Sequence, residues 1–182
     1  MKSQSRSARK WGVMVAGLCV LWFAQSAGAA SLQSWDDIIP NANQRFKVLT
    51  EFGGLAVLDQ ETQLVWERSP GPGVSPRSAG FLACLRSSVG GRMGWRLPSV
   101  VELATLYDPS VTGSNPSLPP GHPFNLTTGL GFLSTTPAPF LGSDQYLIMI
   151  FLPGNLGGLS HDPDSNGGGV WCVRGPMSPT GY

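Results

Sequence analysis

Apolar positions recur along this chain in short, differently spaced runs, and each spacing predicts a different element. Val100, Leu103, Ala104 and Tyr107 fall at i, i+3, i+4 and i+7, one stripe of a short helix that must face a core. Ser99 before it and Glu102 three residues on form a capping box, and Pro98 precedes the cap. Pro109 pushes Asp108 out of helical geometry and ends the element. Leu55–Leu58 and Leu64–Glu67 flank a polar turn, Asp59 to Gln63, and predict a β-hairpin with Trp66 in the core. Arg45–Thr50 is a candidate first strand. Tyr146–Leu152 is seven consecutive apolar residues, the pattern of a strand buried on both faces.

Other elements follow from punctuation. Ser69–Gly73 is a loop by composition. Ser75 and Pro76 then open a helix in which Phe81, Cys84, Leu85 and Ser88 share one face, and Gly90-Gly91 closes it. Residues 108–124 are rich in Pro, Ser and Gly and predict a long loop holding His122; such loops are often functional. Gly131–Thr136 predicts a short strand, Gly154–Gly169 a glycine-rich loop, and Val170–Arg174 a last strand. Twenty-four glycines and sixteen prolines in 182 residues fit this picture of short strands and much loop. One domain is what the length allows.

The N-terminus changes the charge argument. Lys2, Arg6, Arg9 and Lys10 precede an apolar run from Trp11 to Ala24, too short to span a bilayer comfortably, and Ala27-Gly28-Ala29 offers a cleavage site. Residues 1–30 are thus expected to be a cleaved signal peptide, with Leu18 before Cys19 arguing against lipidation. Twelve basic and eleven acidic residues give the whole chain +1, and without those four basic groups eight oppose eleven, a net −3. A basic nucleic-acid footprint is absent. No later run is long enough to cross a membrane, so the processed chain is expected to be periplasmic or secreted. Residues 31–50 form a lead-in arm and first strand, 51–175 the domain, and 176–182 a tail.

Candidate chemistry is sparse. Cys84 and Cys172 remain after cleavage, an even pair in an oxidising compartment, where a disulfide is expected; a reactive thiol or metal ligand would want a nearby His or second Cys. Arg77, Arg86, Arg92 and Arg96 form a local basic cluster, readable as an anion-binding patch or as a solvated face. Asp162, Asp164 and Asn166 alternate ahead of Gly167, as oxygen ligands for Ca²⁺ would, but position twelve of such a loop is Val173 and a plain turn wants the same residues. His122 and His161 sit in predicted loops. No nucleophile elbow, zinc helix or phosphate loop occurs, so no enzyme is predicted.

An ordered set of residues resembles a known family. Thr62-Gln63-Leu64-Val65-Trp66, Cys84, Gly94-Trp95-Arg96-Leu97-Pro98-Ser99 with Glu102, Leu103 and Leu106, then Phe124, Ser134-Thr135-Thr136 and Trp171-Cys172-Val173-Arg174-Gly175 together look like the Lcl C-terminal domain family. That family is an exported bacterial domain named after the end of a collagen-like adhesin. The Arg-Leu-Pro-Ser corner is also similar to C-type-lectin-like folds. The resemblance implies a compact α+β domain of C-type-lectin type, two short helices among short antiparallel strands, with a Cys84–Cys172 bridge from the first helix to the final strand. It implies recognition of a carbohydrate or cell-envelope component, since the namesake attaches to sulfated polysaccharides. Two alternatives stand beside it: an envelope assembly subunit that binds a protein partner through the arm 31–45, and an enzyme related to the sulfatase-modifying group.

Overall fold

The computed structural model describes residues 39–111, 116–126, 131–151 and 167–175, and residues 158–163 by their backbone alone. In chain order the elements are α1 (Ala42–Arg45), β1 (Phe46–Leu49), β2 (Ala56–Asp59), β3 (Val65–Glu67), β4 (Gly71–Val74), α2 (Arg77–Arg86), α3 (Val100–Ala104), β5 (Gly131–Pro137), β6 (Gln145–Ile150), β7 (Gly158–Pro163), β8 (Gly168–Val170) and β9 (Val173–Arg174). Single 3-10 turns occupy Thr50–Phe52 and Val89–Gly91. This is an α+β domain with three short helices among the described residues, one more than expected.

The strands form two small sheets. The first runs β1-β2-β3-β9, antiparallel throughout, with Phe46 opposite Asp59, Val57 opposite Trp66 and Trp66 opposite Val173. The second runs β4-β8-β5-β6-β7, where only the β5–β8 pair is parallel. Successive strand residues point to opposite faces, and both faces are covered. Ala56, Leu133, Val170 and Cys172 enter one apolar cluster, with Trp95 and Leu97. Their neighbours Val57, Phe132, Trp171 and Val173 enter the other, with Trp66, Leu103 and Phe151. Edge-on and tilted contacts join Trp171 to Trp66, Phe124, Phe132 and Phe151, at ring-centre distances from 4.9 to 6.0 Å.

The expected last strand, Val170–Arg174, is two strands in two sheets. Val170 ends β8 and Val173 begins β9, so Trp171-Cys172 is the crossing between them. Buried groups hold that crossing. Trp171 Nε1 donates to the Glu67 carbonyl at 2.8 Å, Glu67 N donates to the Cys172 carbonyl at 3.1 Å, and Cys172 is bonded to Cys84, 88 residues earlier. Neither ladder could continue straight through residues so fixed.

The corner at Ser99 has the expected capping box: the Ser99 hydroxyl accepts from Glu102 N, and the Glu102 carboxylate accepts from Ser99 N. The inward stripe differs. Val100, Leu103 and Leu106 are buried, whereas Ala104 is exposed and Tyr107 half-buried. Leu106 and Tyr107 donate to Leu103 and Ala104, three residues back, and three residues per turn align positions 100, 103 and 106.

Further expectations are corrected. On α2 only Gly80 and Cys84 are buried, while Phe81 and Leu85 face outward. A Cβ at Gly80 would stand 3.0 Å from Leu133 and 3.1 Å from Val170, so the helix lies on the sheet by its glycine. The helix takes Pro76, not Ser75, as its N-cap residue, and it ends at Arg86 rather than at the glycines. β6 is mostly half-buried, with Met149 alone fully covered. Residues 158–163, expected in a loop, form β7 against β6 from Ile150/Gly158 to Gln145/Pro163. The loop before Phe124 is docked: Ser117, Leu118 and Phe124 are buried.

Two consequences are measurable. Replacing both Cys84 and Cys172 by Ala frees a loop of almost ninety residues in the unfolded chain and should lower the unfolding free energy by about 4 kcal/mol, read from urea denaturation. The buried Glu102 carboxylate grips Arg96 with two bonds, of 2.8 and 2.5 Å. Glu102→Ala strips that cation and the cap of their acceptor and should cost about 3 kcal/mol, with Glu102→Gln costing less.

Candidate functional site

Of the four arginines grouped by sequence, the structure sets each a different task. Arg77 lies over the Tyr146 ring, 3.3 Å from its centre, beside β6. Arg86 ends α2 and is exposed. Arg96 is held by Glu102 inside the corner. Arg92 is exposed, with its guanidinium 5.9 Å from the centre of the Phe52 ring.

Arg92 gains a companion that sequence spacing does not reveal. Arg174 reaches the same Phe52 ring at 5.8 Å. The backbone explains the meeting. Arg96 N donates to Val173 O and Val173 N to Arg96 O, both at 2.9 Å, so the segment leading to the corner lies along β9. Trp95 anchors that segment: it is buried, donates from Nε1 to the Arg92 carbonyl at 2.8 Å, and packs edge-on against Phe52. Gly94, at φ +87°, makes the turn between Trp95 and Arg92; a Cβ there would be 3.6 Å from Arg174 Nε.

Beside this pair opens a groove of about 540 Å³ lined by Phe52, Gly53, Leu55, Ser88, Gly90 and Gly91. Its walls touch closely, since a Cβ at Gly90 would stand 2.6 Å from Phe52 Cβ. Phe52 is itself buried, so its ring seats the cations rather than offering an open stacking face. Arg45 pairs with Asp59 and Glu61, and Arg96 with Glu102, whereas no carboxylate among the described residues pairs with Arg92 or Arg174. Arg92 and Arg174 therefore present their charge to whatever enters from solvent. Guanidinium forks bind carboxylate or sulfate-like oxygens in pairs.

The other candidates fall elsewhere. Asp162 lies on β7 opposite Tyr146, while Asp164 and Asn166 lie outside the described residues. No group of three metal-ligating side chains occurs among the described residues. His122 Nδ1 accepts from Phe124 N at 3.2 Å, and burial lowers its pKa. His161 is on β7.

Glu67 is a buried acid that the sequence does not mark. Its carboxylate accepts from the Ser87 hydroxyl at 2.7 Å and faces Cys172 N at 3.4 Å, bracing the end of α2 against the disulfide. Burial raises its pKa above 4.5, against the opposing pull of those two donors. The folded state therefore holds this proton to a higher pH than the unfolded chain does. Its contribution to stability is greatest below pH 4.5 and is lost as pH rises from there through the folded pKa. Glu67→Gln should remove this loss, so the variant's advantage over the parent in urea midpoint should grow with pH across that window. A constant difference at every pH would contradict the assignment.

Comparison with known proteins bears on the whole domain. Searches of the curated proteins and of the solved structures found no match. The family model described as the Lcl C-terminal domain matches residues 55–174, from the start of the first hairpin to the end of β9 and therefore across both sheets and the Arg92–Arg174 pair. The chain belongs to the Lcl C-terminal domain family.

Proposed function

We propose that this is an exported recognition domain, not an enzyme, which binds an acidic carbohydrate or a similarly anionic component of the cell envelope. The observation that carries the reading is the convergence of Arg92 and Arg174 on Phe52 at the rim of an open groove. Two cations brought together from distant points of a chain, with no carboxylate among the described residues answering them, suit a ligand that supplies its own negative charge. Membership of the Lcl C-terminal family supports export. The disulfide fits an oxidising compartment, periplasmic or outside the cell, and so does the signal-like sequence of residues 1–30. The net −3 of the processed chain argues for a local contact rather than a broad basic surface. The lectin-like likeness of the Arg96–Ser99 corner favours a sugar. Ca²⁺ at Asp162, Asp164 and Asn166 is no part of this reading.

Titration calorimetry with a sulfated polysaccharide and its desulfated counterpart tests it. Arg92→Ala and Arg174→Ala should each weaken binding of the sulfated form by about tenfold, the loss of one charge-assisted contact. The double variant should also flatten the salt dependence, because fewer ligand charges are neutralised. Arg86→Ala should leave affinity unchanged. Equal binding by parent and double variant, or no binding to any acidic polysaccharide, would overturn the proposal.

A further inference from the structure

The groove beside Arg92 and Arg174 differs in chemistry from its rim. The 3-10 turns Thr50–Phe52 and Val89–Gly91, with the residues next to them, form its walls. Among its described lining residues none is charged: Phe52, Leu55 and Val89 are apolar, Ser88 supplies a hydroxyl, and the rest is glycine main chain. Leu55 is 56% exposed and keeps an apolar surface in water. Gly53 and Gly91 hold left-handed backbone, at φ +63° and +68°, and a Cβ on either would meet nothing within 4 Å. That backbone favours glycine, and its consequence here is a wall left bare of side chains.

These walls select what lies next to the anion. A small anion alone would be satisfied by the guanidinium forks and would leave the groove unused. An acyl chain would want an enclosed apolar cavity, whereas this groove is open and part of its lining is a hydroxyl and main chain. A ring with C–H groups on its face and hydroxyls around its edge matches the mixture. Its face covers Leu55 and Val89, and its hydroxyls reach Ser88 and the main chain at Gly53 and Gly91. The volume of about 540 Å³ is that of a small-molecule site. We propose that the groove is a subsite for an uncharged sugar ring adjoining the ligand's anionic group. The domain thereby recognises a glycan whose charged and uncharged units are neighbours, rather than any polymer of sufficient charge. The inference rests on anion binding at Arg92 and Arg174 and adds to it. Leu55 and Gly91 become specificity determinants: one supplies the apolar contact, and the other, next to Arg92 in sequence, leaves the ring room beside the cations.

Two polyanions separate the ring from the charge. Sparsely sulfated dextran sets uncharged glucose units beside sulfated ones, and polyvinyl sulfate carries the same anion on an alkyl chain without rings. With the exported, processed chain at fixed ionic strength, affinity per sulfate group should be about tenfold higher for the dextran. Leu55→Ser, a change at an exposed position that spares the core, should abolish that preference. Gly91→Asn should do the same, since asparagine is one of the few residues with a side chain that enters left-handed backbone and its amide would stand in the groove. Arg92→Ala should weaken both polymers and keep their ratio. Equal affinity for the two polymers in the parent, or a preference that survives both groove variants, overturns the sugar subsite and leaves anion binding standing. An Arg92→Ala variant that binds both polymers as the parent does, or no binding of either, overturns the anion reading and the subsite with it. Tighter binding of phosphatidylglycerol vesicles than of the dextran, lost in Leu55→Ser, would give the groove to a lipid and overturn the sugar as its occupant.

Discussion

Everything in this domain leans on two consecutive side chains at the point where the chain passes from one sheet to the other. Trp171 turns into the aromatic cluster, where its ring meets Trp66, Phe124, Phe132 and Phe151. Cys172 turns the other way, into the second cluster and the bond to Cys84. One strand thus fixes both cores, because successive residues on an extended backbone face opposite ways. Glu67 makes the arrangement specific: its carbonyl takes the indole proton, its amide reaches the Cys172 carbonyl, and its carboxylate braces Ser87 at the end of α2. A shift of one residue at 171 would exchange a tryptophan for a half-cystine in each core.

Around that centre, charge is used to hold corners. Arg45 binds Asp59 through two bonds, of 2.9 and 2.8 Å, and reaches the Thr105 carbonyl at 2.7 Å, joining α1, the end of β2 and the end of α3. Arg96 and Glu102 do the same between the segment beside β9 and the start of α3. Both pairs are buried or nearly so, which favours geometry over raw stability, since desolvation consumes much of the attraction. Their consumption by partners distinguishes Arg45 and Arg96 from Arg92 and Arg174, whose setting is an aromatic ring at the surface. Residue type alone would not separate them.

What the amino-acid sequence made readable divides by range. The Ser99–Glu102 cap, the first hairpin and buried Trp66 rest on neighbours within a few positions, and local propensity settles them. Pairing of the two cysteines followed from count and compartment. The inverted face of α2 did not follow, because the deciding contact is Gly80 against Leu133 and Val170, residues on strands far along the chain. β7 did not either: Gly158 to Pro163 has a loop's composition, and the exposed edge of β6 makes it a strand. The meeting of Arg174 with Arg92 was not legible for the same reason, since only the pairing of Arg96 with Val173 brings them together. The expected calcium ligands Asp164 and Asn166 lie outside the described residues, and Arg77, Arg86 and Arg96 each stand apart from the Arg92–Arg174 pair.

The position of Trp171-Cys172 along the chain bears on when the domain can form at all. During synthesis from the N-terminus, β1, β2 and β3 emerge first, but the first sheet lacks its closing edge until Arg174 is out. The aromatic cluster lacks its central ring, and Cys84 has no thiol to meet, for the same interval. Contacts of such long sequence separation are slow to form, and here they are withheld by order of appearance as well. Neither core can therefore close until residues 171–174 have appeared, and formation of the Cys84–Cys172 bond coincides with closure of both cores.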